Sequence, residues 1–369
     1  MTNELQATVP QSELRRAIAT VRPAVAGKSS IPSLTHILLT VDADGLALAA
    51  TNLEMSIITR VPANVETHGS ISVPARLLAD VVGGLPNDMV TLQMKGASLR
   101  LECGRFVTNI VGLDADEFPR IPTTTGEGIP LQAPALRDAI ECTAFAAATD
   151  ESRPVLTGVY VGIGPEGVKL AAADGFRLAK YVLGTESMQP RPDLIIPARA
   201  LRELANIIGD AEGAIRMVDS DNQVVFETGA TTLVSRLIDG QFPDFERIIP
   251  KKHATRCLVD TRELAKAVKL ASHFALASQG ILKVQVQEKE GLILSANAAD
   301  VGDNQGTIGA MIEGADNEIA VNVRFFTDVL EAIETQQVAL ELQGPHAPLV
   351  LRPVGDDRYT HVIMPMSMR

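Results

Sequence analysis

Three stretches of this chain repeat one pattern at a nearly fixed distance: GLALAATNLEMS from Gly45, GVKLAAADGFRL from Gly167 and GLILSANAADVG from Gly291, offset by 122 and 124 residues. A second set keeps the same order and period, with VPARLLADVVGGL from Val73, IPARALRELANII from Ile196 and VNVRFFTDVLEAI from Val321. Helix-like pieces around Leu14, Leu136 and Leu264 open each copy. Extended segments from Thr108, Val234 and His361 close it, and Phe118 and Phe242 fall in matching places. Self-similarity in register along several segments is the mark of one supersecondary unit used three times.

Within each copy the pattern runs helix, two or more strands, a second helix, then more strands, which reads as an α+β domain. Apolar Leu77, Leu78, Val81 and Val82 recur at helical spacing and predict a helix over Ser72 to Val82, whereas LVLRPV near the C-terminus alternates as a strand does. Pro74 and Pro197 sit where helices begin. Asp44-Gly45 and Glu290-Gly291 read as hairpin turns. Polar junctions after IPTTTGEG and IIPKKHA divide the chain into domains at 1–125, 126–253 and 254–369.

A catalytic centre is not legible. The 46% hydrophobic and 21% charged composition belongs to a well-cored globular chain. No apolar run approaches the ~18–20 residues of a membrane span or signal segment, so a cytoplasmic protein with no membrane partner is expected. Cys103, Cys142 and Cys257 are widely spaced and odd in number. They read as buried small apolar residues, not as a disulfide framework or a zinc site. The His residues show no i,i+4 pair and no Cys neighbour, and the acid pairs Asp114 with Asp116 and Asp356 with Asp357 lie in turn-like stretches. GIGPEG at Gly162, Gly164 and Gly167 has the spacing of a dinucleotide fingerprint, but it lies between two strand-like runs, where a hairpin turn is expected. No catalytic residue, metal or cofactor is expected.

The net charge of −12 argues on average against nucleic acid, whose binding proteins are usually basic. Cations nonetheless recur by position. The first helix of each copy carries Arg15 and Arg16, Arg137, or Lys266 and Lys269; the second carries Arg76, Arg199 with Arg202, or Arg324. Copies arranged around an axis would put these helices on one face and create positive potential inside an acidic molecule. Phosphates would be touched without bases being read. The same side chains would serve equally as solvated helix surface, and the residues alone leave both readings open. With 4% aromatic content and no Trp, stacking platforms for single strands are not expected.

IPSLTHILLTV with TNLEMSI in the first copy, ADGFRLA and LIDGQFPDFERIIP in the second, and VNVRFFTDVLEAI with VIMPM in the third resemble the bacterial DNA polymerase beta-clamp family in order and spacing over essentially the whole chain. The resemblance implies three similar domains, each of two βαβββ-like halves, and a head-to-tail homodimer forming a six-domain ring. Helices would line the hole and sheets would form the outer layer. Such a ring holds duplex DNA without sequence preference and is cytoplasmic and nucleoid-associated. It tethers polymerases and clamp-loader subunits by short linear motifs bound between the second and third domains. Carried over residue by residue, Leu156, Leu178, Ile248, Val362 and Met364 would receive the motif's apolar side chains, and Arg177 and Arg247 would hold its polar groups. Asp174, Gly175, Phe176, Pro243, Asn322, Phe325, Ile363, Pro365, Met366 and Met368 complete the implied pocket. Lys28 and Arg153 fall in loops where the family places basic contacts to DNA. Ile110 and Phe274 match apolar positions of the ring interface.

The chain departs from the family pattern at Phe176, where DGHRL is common, at Phe325 in place of Tyr, at Gln279 in place of a pocket aromatic, and in its MPMSMR tail. Two rival readings follow: an α/β nucleotide-binding enzyme built on Gly162 to Gly167, and a clamp-shaped interaction protein that no longer loads onto DNA.

Overall fold

The computed structural model describes residues 4–122, 126, 128–184, 189–220 and 222–367. The first repeat supplies β1 (Gln6–Pro10), α1 (Gln11–Val21), β2 (His36–Asp42), β3 (Gly45–Thr51), β4 (Met55–Val61), β5 (Asn64–Thr67), β6 (Gly69–Pro74), α2 (Ala75–Gly84), β7 (Met89–Lys95), β8 (Ser98–Cys103) and β9 (Phe106–Val111). In the second repeat these are β10 (Ile129–Gln132), α3 (Ala133–Thr143), β11 (Gly158–Gly164), β12 (Gly167–Ala173), β13 (Arg177–Leu183), β14 (Leu194–Pro197), α4 (Ala198–Ile208), β15 (Ala214–Ser220), β16 (Gln223–Thr228) and β17 (Thr231–Arg236). The third contributes β18 (Thr255–Asp260), α5 (Thr261–Leu276), β19 (Ile281–Gln287), β20 (Gly291–Ala298), β21 (Gly302–Ile308), β22 (Met311–Gly314), β23 (Asn317–Asn322), α6 (Val323–Ala332), β24 (Gln337–Leu342), β25 (Leu349–Pro353) and β26 (Tyr359–Ile363).

The sheets do not respect the borders between repeats. One compact body, Met1–Pro134 with Glu203–Leu237, holds a sheet in the order β5-β1-β7-β8-β9 and a sheet in the order β10-β15-β16-β17-β4-β3-β2-β6. The other body, Ala135–Arg202 with Ile238–Arg369, holds the orders β14-β11-β12-β13-β26-β25-β24-β18-β22 and β21-β20-β19-β23. Each large sheet is thus half of one repeat hydrogen-bonded to half of the next. Neighbouring strands are antiparallel, and one face is covered by helices: α1 packs on β3 and β4, and α5 on β20 and β21. Fully burying a Leu or Ile is worth about 1.5–3 kcal/mol. Leu46, Leu48 and Ile57, all at 0% exposure on β3 and β4, therefore weigh heavily in holding their sheet.

Local chemistry sets the element ends. The helix expected from Ser72 begins only at Ala75, because Ser72 and Val73 pair with Leu38 and Ile37 in the sheet. Pro74, without an N–H to donate, ends the strand and precedes the first helical turn. Leu78 is buried at 0%, while its neighbour Leu77 is 47% exposed, since adjacent helical positions cannot both face the sheet. The turns at Gly45 and Gly291 close hairpins, as does GIGPEG, where Gly164 pairs with Gly167. Cys103 and Cys257 are buried, as expected. Cys142 is only half-buried and donates to the Ala332 carbonyl at 3.6 Å; burial pushes its thiol up to about 12. No helix among the described residues is long and apolar enough to cross a membrane.

Candidate functional site

Strands β13 and β26 come from different repeats and pair with Leu178 opposite Val362 and Arg177 opposite Ile363. Alternation along a strand sends these two pairs to opposite faces. On one face Leu178 and Val362 are 2% and 1% exposed and pack with Leu156, Phe242 and Phe245. The loop entering β13 is set by Asp174, whose carboxylate accepts from the Phe176 N–H at 2.9 Å and the Arg177 N–H at 3.0 Å. Gly175, at φ 92, supplies the left-handed residue this turn needs. The turn throws Phe176 outward, 65% exposed, and its carbonyl accepts from the Met364 N–H at 2.8 Å. Met364 and Ile248 are also exposed, as are Pro243 and Arg247. The exposed apolar side chains of these segments are therefore Phe176, Ile248 and Met364, while Leu156, Leu178 and Val362 are buried in one cluster with Phe242 and Phe245.

On the opposite face Arg177 is enclosed. Its Nε donates to Asp174 at 3.0 Å, one Nη to Asp328 and the other to the Phe145 carbonyl at 2.8 Å, and its guanidinium carbon lies 4.5 Å from the Phe325 ring centre. Each of the three nitrogens thus already donates within the chain and the side chain is only 10% exposed, which limits what Arg177 can offer a ligand. Asn322 is similarly engaged as the cap of α6, accepting from the Arg324 N–H at 2.9 Å. Arg247 differs: its side chain is 87% exposed and paired with Asp244 at 2.7 Å, so it is open to a partner. Behind Arg177, His361 is fully buried and stacks on Phe145 at 5.6 Å, with Nδ1 3.3 Å from the Tyr359 hydroxyl. Burial, and next the Arg177 charge, hold its pKa down to about 3, so the ring is neutral. Pro365 and Met366 are half-buried, Gln279 is exposed, and Met368 lies outside the described residues.

Of the helix cations, Arg15 and Arg76 are exposed on the packed pair α1 and α2, and Lys266 and Arg324 on the packed pair α5 and α6. Lys28, Arg153 and Arg199 are exposed as well. Arg137 is largely covered and paired with Asp138 at 3.4 Å. Arg202 donates to the Ala144 carbonyl at 2.7 Å, and desolvation with the nearby Arg177 charge lowers its pKa.

Strand β9 ends its sheet, and β21 ends another. On β9 the outward apolar side chains are Phe106, Val107 and Val111, at 50%, 47% and 72% exposure, whereas Ile110 is 1% exposed. The expectation for Ile110 is corrected accordingly: its side chain is spent on its own core. Phe274 is half-buried on α5, with its ring beside Gly302 at the start of β21.

Sequence reasoning also missed the aromatic cluster under the patch, where Tyr160 meets Phe242 and Phe245 at 5.8 and 5.2 Å, and the clasp of Glu246 by Lys169 and Lys180, each near 2.8 Å. Burial raises the Glu246 pKa less than the two lysines lower it. FPDFER, with two aromatics three apart, was the available signal.

The chain matches the family models of the DNA polymerase III beta subunit, the N-terminal domain over residues 5–122, the central domain over 130–244 and the C-terminal domain over 246–367. The beta sliding clamp of Synechococcus elongatus is 35% identical over 97% of this chain and 98% of its own length. That of Staphylococcus aureus is 31% identical over 93% and 94%. Among solved structures, the DNA polymerase sliding clamp of Bacillus subtilis is 27% identical with a TM-score of 0.93, covering 99% of this chain and 100% of its own. The DNA polymerase III beta subunit of Thermotoga maritima is 28% identical with a TM-score of 0.91 at the same coverage.

Proposed function

The chain belongs to the family of DNA polymerase III beta subunits, the beta sliding clamps, and from that premise we propose that it joins a second copy head to tail around duplex DNA. It is a non-catalytic processivity factor with three similar domains. We assign these to 1–125, 126–253 and 254–369, in a cytoplasmic, nucleoid-associated protein. Arg15, Lys28, Arg76, Arg153, Arg199, Lys266 and Arg324 face phosphates, with the more enclosed Arg137 and Arg202 adding to the local potential. Because the contacts ignore base sequence, the ring slides.

One relationship among strands carries the reading. β4 of the first repeat pairs with β17 of the second, and β13 of the second pairs with β26 of the third. By the same rule β21 of the third repeat calls for β9 of a first repeat, and within one chain both are edge strands. A second copy supplies the missing neighbour on each side and removes two exposed edges. The sheet so formed, β23-β19-β20-β21 joined to β9-β8-β7-β1-β5, has the strand order of the large sheet of the second body. Phe106, Val107, Val111 and Phe274 then lie at the seam.

The patch of Phe176, Ile248, Met364, Pro243 and Arg247 over Leu156, Leu178 and Val362 takes the short motifs of polymerase and clamp-loader subunits, with Asp174, Gly175, Pro365 and Met366 shaping its edges, while Ile363 is buried on the opposite face of the sheet. Retention after loading on nicked circular DNA, with loss on linearisation, is the expected result. Equal retention on linear and circular DNA, or a strict monomer at micromolar concentration, would overturn the ring.

A further inference from the structure

The first and second repeats meet through the same frame as the second and third. Ser56 pairs across the seam with Val234 as Leu178 does with Val362. The Arg236 N–H donates to the Glu54 carbonyl at 2.8 Å, as the Met364 N–H does to Phe176. Asn52 takes the part of Asp174, accepting from the N–H groups of Glu54 at 3.0 Å and Met55 at 2.8 Å. Leu53 stands at the position of Gly175 in the left-handed conformation, φ 74 against φ 92. It is the one non-glycine residue with positive φ among the described residues, and its side chain is 48% exposed. A strained residue with its apolar side chain in solvent, held there by Asn52 and by Thr51, whose hydroxyl accepts from the Leu53 N–H at 3.1 Å, fits a recognition position.

At this seam lies a groove of about 410 Å³ lined by Leu53, Glu54, Pro119, Arg120, Val234 and Arg236, among others. The polarity is inverted relative to its counterpart: Glu54 and Arg236 replace the exposed Phe176 and Met364. Arg120 and Arg236 are both exposed and have no carboxylate partner among the described residues. Two exposed guanidiniums beside an aliphatic surface match carboxylates spaced along an extended chain that also carries an aliphatic side chain. Glu54, and a lining with no aromatic side chain among the described residues, disfavour a nucleic-acid strand.

We propose that this groove is a second docking site, specific for an acidic extended peptide segment of a partner protein and distinct in specificity from the patch at Phe176 and Met364. The comparison of seams rests on reading that patch as a partner site, so the test separates the two. A display library of peptides about twelve residues long, with Asp or Glu at alternate positions, is panned on the full-length chain. Surviving sequences are measured by fluorescence anisotropy. Arg120→Glu with Arg236→Glu is expected to weaken them by at least about tenfold, and Leu53→Gly, which suits the backbone and removes only the side chain, by several-fold. Phe176→Ala with Met364→Ala should leave them unchanged while weakening a polymerase subunit; if the subunit is unaffected, the reading of that patch fails and this one stands. No surviving sequence, equal binding to the charge-reversed chain, or displacement by oligothymidylate of equal charge overturns the proposal.

Discussion

Arg177 and Asp328 are joined by a charge-assisted hydrogen bond that ties the start of β13 to α6. Asp328→Ala leaves a guanidinium that is 10% exposed with one carboxylate fewer. Removing a partner from a buried charged group costs about 1–3 kcal/mol, and the exposure of Asp328 puts this case at the lower end. Denaturant unfolding should show that loss. A variant as stable as the parent would mean that Asp174 and the Phe145 carbonyl suffice.

Ile110 and Val111 are neighbours with opposite duties. Ile110→Ala opens a core cavity and should destabilise by about 2–4 kcal/mol while leaving self-association intact. Val111→Asp puts a charge on the exposed edge and should dissociate the dimer with little change in protomer stability. Sedimentation with chemical denaturation checks both, and the reverse pattern would refute the assignment.

The same contrast applies to Leu178 and Met364. Leu178→Ala is expected to cost about 2–5 kcal/mol of stability, as for other buried leucines. Met364→Ala should weaken a polymerase-derived motif about tenfold with the melting temperature unmoved.

His361 gives a pH dependence of definite sign. Its folded pKa, about 3, lies below the ordinary histidine value, so the unfolded chain binds the proton first as pH falls. Its contribution is constant above about pH 6.5 and declines toward pH 3 by up to about 1.4 kcal/mol per pH unit. His361→Phe should flatten that part of the stability profile. A slope identical to that of the parent would show that carboxylates alone produce it.

The threefold repetition was plain in the residues, since a recurring pattern of apolar and turn positions survives as text. The division of the sheets was not. Pairing of β4 with β17 is set by hydrogen bonds between segments far apart in sequence, and nothing in MSIITRV names its neighbour. For the same reason the residues around Arg177 do not name its partners: Asp328 and Phe325 come to it from a different repeat. Ile110 and Val111 are both β-branched, and only the register of β9 decides which faces inward. Where chemistry is local, as at the Asp44-Gly45 and Glu290-Gly291 turns, the reading needed no tertiary information.

Two kinds of seam differ in how they respond to dilution. The β4–β17 and β13–β26 ladders join parts of one polypeptide, so their strands face each other at a local concentration that no buffer volume alters. The proposed β21–β9 junction would join separate molecules and would enjoy no such protection. Failure would begin there, which makes the residence time of the assembly on its track a property of a few side chains such as Phe106 and Val111, adjustable by substitution without touching the core of any domain.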